Sequence, residues 1–128
     1  MPTRVLICGM PRLLMDVVAA ILAQAPGVVV VAQLDGAADV TTVVSTLQPD
    51  VVVLEGSEVP GLGSHAALFA AREGLRVVAV SGTGGDGVLY RMGARPVLMP
   101  RLSAAKLVRA VRRTRIPQPV RSRRISGR

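Results

Sequence analysis

The stretch Gln48-Pro49-Asp50-Val51-Val52-Val53-Leu54-Glu55 decides the fold. Pro49 has no amide proton and disfavours helical backbone in the residue before it, so a helix arriving from Val40 must stop there. Val51 to Leu54 is then an unbroken aliphatic run, the pattern of a strand buried on both faces. Upstream, Asp39 is placed to cap a helix whose Val40, Val43, Val44 and Leu47 share one face. Thr41, Thr42, Ser45 and Gln48 fill the other face. A helix leading into a doubly buried strand is half of a β-α-β unit.

The same alternation extends in both directions. Val5-Leu6-Ile7-Cys8 reads as a first strand, and Leu13 to Ala25 as a helix stopped by Pro26-Gly27. Val28 to Ala32 is a second β-branched run. Beyond Leu54, Ser64 is placed to cap a helix through Ala71 that Gly74 ends. Val77 to Val80 reads as a fourth strand, followed by a glycine-rich loop and a short helix from about Val88 to Met92. Val97 to Met99 is a fifth strand, and Ser103 caps a last helix. In that helix Ala104, Leu107, Val108 and Val111 face inward, with Lys106, Arg109 and Arg113 outward. Five strands alternating with five helices predict a five-stranded parallel sheet covered on both sides, because parallel strands need crossover connections. The expected fold is three-layer α/β, a single domain over residues 1–113.

Composition agrees with one domain. The chain has 128 residues, half of them hydrophobic, with one Tyr, one Phe and no Trp, so its core is aliphatic. Disorder throughout is excluded by that balance. A membrane span is not expected, because Val17 to Ala32 is broken by Gln24 and Pro26-Gly27 and falls short of the roughly 20 residues a span needs. Pro11, Arg12 and Asp16 interrupt any signal-peptide core. Cys8 is the sole cysteine, so no internal disulfide can form. These features together read as a soluble, cytoplasmic protein.

Charge is unevenly placed. Residues 1–100 carry six Arg against all eight acids, whereas residues 101–128 carry nine Arg and Lys106 with no acid. Ile116-Pro117-Gln118-Pro119 cannot continue a helix, and residues 114–128 read as a basic, disordered or partner-ordered tail. Arg112, Arg113, Arg115, Arg121, Arg123, Arg124 and Arg128 are candidates to contact nucleic-acid phosphates, an acidic protein or an anionic membrane, or are a solvated run. No helix-turn-helix pattern and no aromatic for base stacking accompanies them, so nucleic acid would be met at its backbone.

Residues 4–112 resemble the receiver domains of bacterial response regulators, especially those that precede helix-turn-helix output domains. The landmarks are Arg4-Val5-Leu6-Ile7, Gln48-Pro49-Asp50-Val51-Val52-Val53-Leu54, Pro60-Gly61, Arg76-Val77-Val78-Ala79-Val80-Ser81 and Gly93-Ala94-Arg95. The resemblance implies a flavodoxin-like (βα)5 fold with its site beyond the carboxyl ends of the strands. In that family an acidic pair after strand one and an Asp ending strand three hold Mg²⁺, and that Asp accepts a phosphoryl group. A Thr or Ser after strand four and a Lys after strand five then contact the phosphate. In this chain the acidic pair corresponds to Gly9-Met10, the acceptor to Glu55 or Gly56, and the Lys to Pro100. Ser81 alone keeps the expected group. The resemblance therefore implies a pseudo-receiver that is not phosphorylated, since Mg²⁺ demands oxygen ligands that at most Glu55 and Glu58 supply. Glu55 is either a fixed mimic of a phosphorylated acceptor or a solvated strand-end carboxylate.

The other chemical motifs are weaker. Gly82-Thr83-Gly84-Gly85-Asp86-Gly87 contains G-x-G-x-x-G, but no acid follows Asp86 to bind a ribose, so a mobile loop competes with a small-ligand site. His65 has no partner at ligand or triad spacing, and Cys8 lies within an apolar strand. No catalytic residue, metal or cofactor is expected. The first helix has few polar residues, so a face carrying Met15, Ala19, Leu22 and Ala23 is expected to stay apolar at the surface as a protein interface. The expected function is phosphorylation-independent binding of a protein partner or a second copy, in bacterial signalling or transcriptional control. Nucleic-acid binding through the tail is the alternative, and a small-ligand sensor a third.

Overall fold

The computed structural model describes residues 2–34, 40–55, 66–81, 85–91 and 94–112. In chain order the elements are β1 (Thr3–Cys8), α1 (Arg12–Ala23), β2 (Val28–Leu34), α2 (Val40–Leu47), β3 (Val51–Glu55) and α3 (Ala66–Ala71). They continue with β4 (Arg76–Val80), β5 (Gly87–Arg91), β6 (Val97–Met99) and α4 (Ala104–Arg112). The strands form one sheet of order β2-β1-β3-β4-β5-β6. β1 pairs in parallel with β2 and β3, and β3 with β4.

The remaining pairings correct the expected five-stranded parallel sheet. β5 runs antiparallel to β4, and β6 antiparallel to β5, so the sheet is mixed and has six strands. The fifth strand of the sequence reading, Val97–Met99, is β6; the segment read as a short helix from Val88 is β5. Its physical reason lies in the connection. The few residues between Val80 and Gly87 are too short for a parallel crossover, so the chain returns antiparallel. Val88, Leu89 and Tyr90 also suit a strand: Leu89 joins the core on one face of the sheet and Tyr90 the core on the other. Gly87 suits the close approach there, because a Cβ would lie 3.0 Å from Leu102 Cδ2 and 3.2 Å from the Ala79 carbonyl oxygen, and those neighbours would have to give way.

Three layers result, as expected. On one face Val5, Ile7, Val51, Val53, Val78 and Val80 pack with Met15, Val18 and Leu22 of α1 and Leu107 and Val111 of α4. On the other, Leu6, Val52, Val77 and Ala79 pack with Val44 of α2 and Leu68 and Phe69 of α3. The alternation along each central strand sends successive valines to opposite cores.

The amino-terminal edge of the sheet is tied together at Asp50. Its carboxylate accepts the Arg4 amide N–H (2.9 Å) and the Arg72 guanidinium (2.9 Å). Its own amide donates to the Arg4 carbonyl (2.8 Å), and its carbonyl accepts the Arg76 amide (3.1 Å). Arg4 Nη1 also donates to the carbonyls of Leu47 (2.6 Å) and Gln48 (3.0 Å), which satisfies acceptors at the end of α2. Gln48 sits at φ +52°, and its Nε2 donates to the Val44, Ser45 and Ala71 carbonyls, closing α2 against the end of α3. Arg76 is buried, and its Nη1 donates to the Ala110 carbonyl in the last turn of α4 (2.9 Å). A cation at a helix C-terminus is favourable against the aligned peptide dipoles.

Asp50→Ala removes an acceptor shared by a backbone amide and a guanidinium. Urea denaturation is expected to show a loss of about 1–3 kcal/mol with an unchanged m-value. An unaltered midpoint would show that the clamp carries little of the fold's stability.

Candidate functional site

The carboxyl ends of β1, β3 and β4 lie side by side, and three of the expected positions converge there. β1 ends at Cys8, and Gly9 turns the chain at φ +67°, a backbone conformation that disfavours other residues. Met10 does not stand free at the carboxyl ends of the strands. It is buried in the core with Val5, Met15 and Val51. Glu55 is half-buried at the end of β3, in register with Val80 of β4, and Ser81 follows directly. The Ser81 amide donates to the Asp86 carbonyl (2.8 Å).

Pro100 is set apart from this group. It follows β6, and β5 stands between β6 and β4. The connection after β6 is instead held to the connection before β5. The Arg101 amide donates to the Asp86 carboxylate (3.0 Å), with Arg101 at φ +54°, and the Leu102 amide donates to the Gly85 carbonyl (2.8 Å). Asp86 thus serves the loop next to the site as an internal acceptor. Sequence reading had placed it only in a glycine-rich motif.

Among the described residues, the donor set here does not suit Mg²⁺. Gly9 has no side chain, the Met10 thioether is a soft ligand folded into the core, and Glu55 supplies one carboxylate where octahedral oxygen ligation is needed. Among the described residues no group of three or more His, Cys, Asp or Glu could hold a metal ion. Gly56, Glu58, His65 and residues 82–84 lie outside the described residues.

The α1 interface needs correction. Met15 and Leu22 are buried against the sheet, with Ala19 half-buried and only Ala23 exposed. The outward stripe is Leu13, 77% exposed, with Val17 and Ala20. Arg12, Asp16 and Gln24 share that outer side. Those polar positions were the signal in the sequence that fixes the helix rotation, since residues four apart lie on one face. Between α1 and α4 an apolar groove of about 230 Å³ is lined by Leu14, Val17, Ile21, Leu102 and Leu107, with Ser81 at its end.

On α4, Lys106, Arg109 and Arg112 are exposed and spaced three apart, one stripe on the outer side. The Lys106 amide donates to Ser103 Oγ (3.2 Å), which confirms the expected cap. Arg113, Arg115, Arg121, Arg123, Arg124 and Arg128 lie outside the described residues.

In fold the chain is similar to the response regulator domain of CheB from Thermotoga maritima, at a TM-score of 0.50 and 25% identity. The match covers 63% of this chain and 61% of that domain, less than two thirds of its length. It supports the receiver-like fold. No protein-family model matches the chain, and no curated protein matches it. No described helix is long and apolar enough to cross a membrane.

Cys8, the last residue of β1, is buried. Burial pushes its thiol up from 9.0 to about 11. The unfolded chain loses this proton near pH 9 while the folded chain keeps it, so stability falls as pH rises from about 9 to 11. Burial also raises the Tyr90 hydroxyl, which adds in the same direction. Denaturation midpoints between pH 9 and 11 are expected to fall less steeply in Cys8→Ala than in the parent chain. Equal slopes would remove Cys8 as the cause.

Proposed function

We propose that the chain is a receiver-like module that performs no chemistry and works by binding a protein, a second copy of itself included, without being phosphorylated. Bacterial signalling or transcriptional control, in the cytoplasm, is the setting that the receiver-like fold supports. One observation carries the reading: where receivers keep an acidic pair, this chain has Gly9 without a side chain and Met10 packed into the core. Phosphoryl transfer depends on a cation to neutralise developing charge, and this donor set holds one poorly. The displaced Pro100 adds to the argument, because β5 stands between its strand and the β4 strand that leads to Ser81.

Partner binding is supported by the outward stripe of α1. Leu13 at 77% and Val17 at 48% exposure are large apolar residues left in water, beside the groove between α1 and α4. Such patches mark interfaces more often than chance surface does. A second reading, contact with nucleic-acid backbone, is favoured by the exposed Lys106, Arg109 and Arg112 stripe leading into an Arg-rich end.

Acetyl phosphate with Mg²⁺ is expected to leave the intact mass of the chain unchanged; a stable phosphoryl adduct overturns the pseudo-receiver reading. In sedimentation velocity, Leu13→Glu and Val17→Glu are each expected to weaken self-association by about tenfold. A parent chain that is monomeric at all concentrations, or variants that associate as tightly, would turn the search to a different partner.

A further inference from the structure

Among the described residues, β6 is the last strand on its side of the sheet and pairs with β5 alone. Edge strands present unpaired N–H and C=O groups, which proteins usually blunt with charge, proline or a covering element. This edge strand is three residues long and stands between Pro96 and Pro100, so its free main-chain groups are few, but its side chains are apolar: Leu98 is 67% exposed and Val97 40%. A cavity of about 210 Å³ opens beside it, between β6 and α4. Leu89, Leu98, Met99 and Ala110 form its apolar lining, and Lys106 and Arg109 its cationic rim. No acidic residue is among those that line it. Lys106 Nζ donates to the Pro100 carbonyl (3.0 Å), which fixes the ammonium over the rim with further protons to donate.

We infer that this edge takes an extended segment of a partner protein in which apolar and acidic residues alternate, added as a further strand along β6. The inference rests on the reading of the chain as a protein-interaction module and names the place and the chemistry of one partner. Main-chain hydrogen bonds to β6 supply affinity, and alternate side chains enter the cavity beside it. Carboxylates on the segment meet Lys106 and Arg109.

Charge selects this occupant over the others. A second copy brings the same cationic rim, with no acidic residue among those lining the cavity to pair with Lys106 and Arg109. The chain's own residues 113–128 carry only positive formal charge and cannot neutralise the rim. A nucleic-acid backbone would satisfy the cations but leave Val97 and Leu98 facing phosphates, with no aromatic beside them on which a base could stack.

The test uses the full chain and fluorescein-labelled short peptides read by anisotropy. One peptide alternates Val and Glu, a second alternates Val and Lys, and a third is the acidic peptide with alternate amides N-methylated in either register. Saturable binding of the acidic peptide is expected, weakening with salt, with the lysine and N-methylated peptides binding at least about tenfold more weakly. Leu98→Asp and Arg109→Glu are each expected to weaken it by about tenfold, with thermal unfolding by circular dichroism confirming that both variants fold. The inference is overturned if the acidic peptide does not bind, or if Leu98→Asp or N-methylation leaves its affinity unchanged. It is equally overturned if duplex DNA binds the same rim with an affinity that Arg109→Glu lowers and Leu98→Asp does not. Self-association abolished by Leu98→Asp would give the edge to a second copy. Loss of peptide binding while association sensitive to Leu13→Glu persists removes this inference alone. Absence of both removes the interaction reading as well.

Discussion

One carboxylate, that of Asp50, fixes where three strands begin. It takes the Arg4 amide from β1 and the Arg72 guanidinium beyond α3, while its own backbone bridges Arg4 and Arg76. Arg4 and Gln48 carry the same connection into the ends of α2 and α3. A charged acceptor shared by several donors resists replacement, since each donor would otherwise be left near the protein interior without a partner. All of these contacts lie at the amino-terminal edge of the sheet. The clamp therefore stands apart from the carboxyl ends of the strands, where Gly9 turns the chain and Met10 enters the core.

The antiparallel β5 has the larger effect on function. By occupying the place beside β4 it moves β6 one strand outward, and Pro100 with it. β5 thereby stands between Pro100 and the strand that leads to Ser81. The Asp86 carboxylate and the Gly85 carbonyl then stitch the displaced connection back to the sheet. The same insertion leaves β6 at the margin with Val97 and Leu98 in solvent. One antiparallel strand thus sets both the place of Pro100 and the exposure of the edge.

Most of the frame was legible in the sequence because doubly buried parallel strands are spelled as aliphatic runs. Val5–Cys8, Val51–Leu54 and Val77–Val80 could be placed without reference to anything else. Residues 88–92 could not, since so short an apolar run fits a helix or a strand equally, and only the short connection from Val80 decides between them. The rotation of α1 was misjudged by following its apolar residues, Met15 and Leu22, rather than the polar Arg12, Asp16 and Gln24 that mark the outer side. The role of Asp50 beyond ending a helix was illegible, because its partners Arg4 and Arg72 come from distant stretches of chain. At the candidate site the sequence showed which groups were replaced. It could not show that Met10 turns into the core.

The mixed sheet also has two different histories of assembly written into it. Val80 meets Gly87 across a short loop, whereas Val5 meets Val51 only after a helix, a strand and a second helix have been laid down. Closing the first contact costs far less chain entropy than closing the second. The β4–β5–β6 meander is the part of the sheet whose contacts are local, and local contacts form fastest. A chain emerging from the ribosome presents β1 first, yet β1 must wait for β3 before its second neighbour exists. The hairpin that gives this sheet its antiparallel side thus also concentrates its local contacts in the carboxyl-terminal half of the domain.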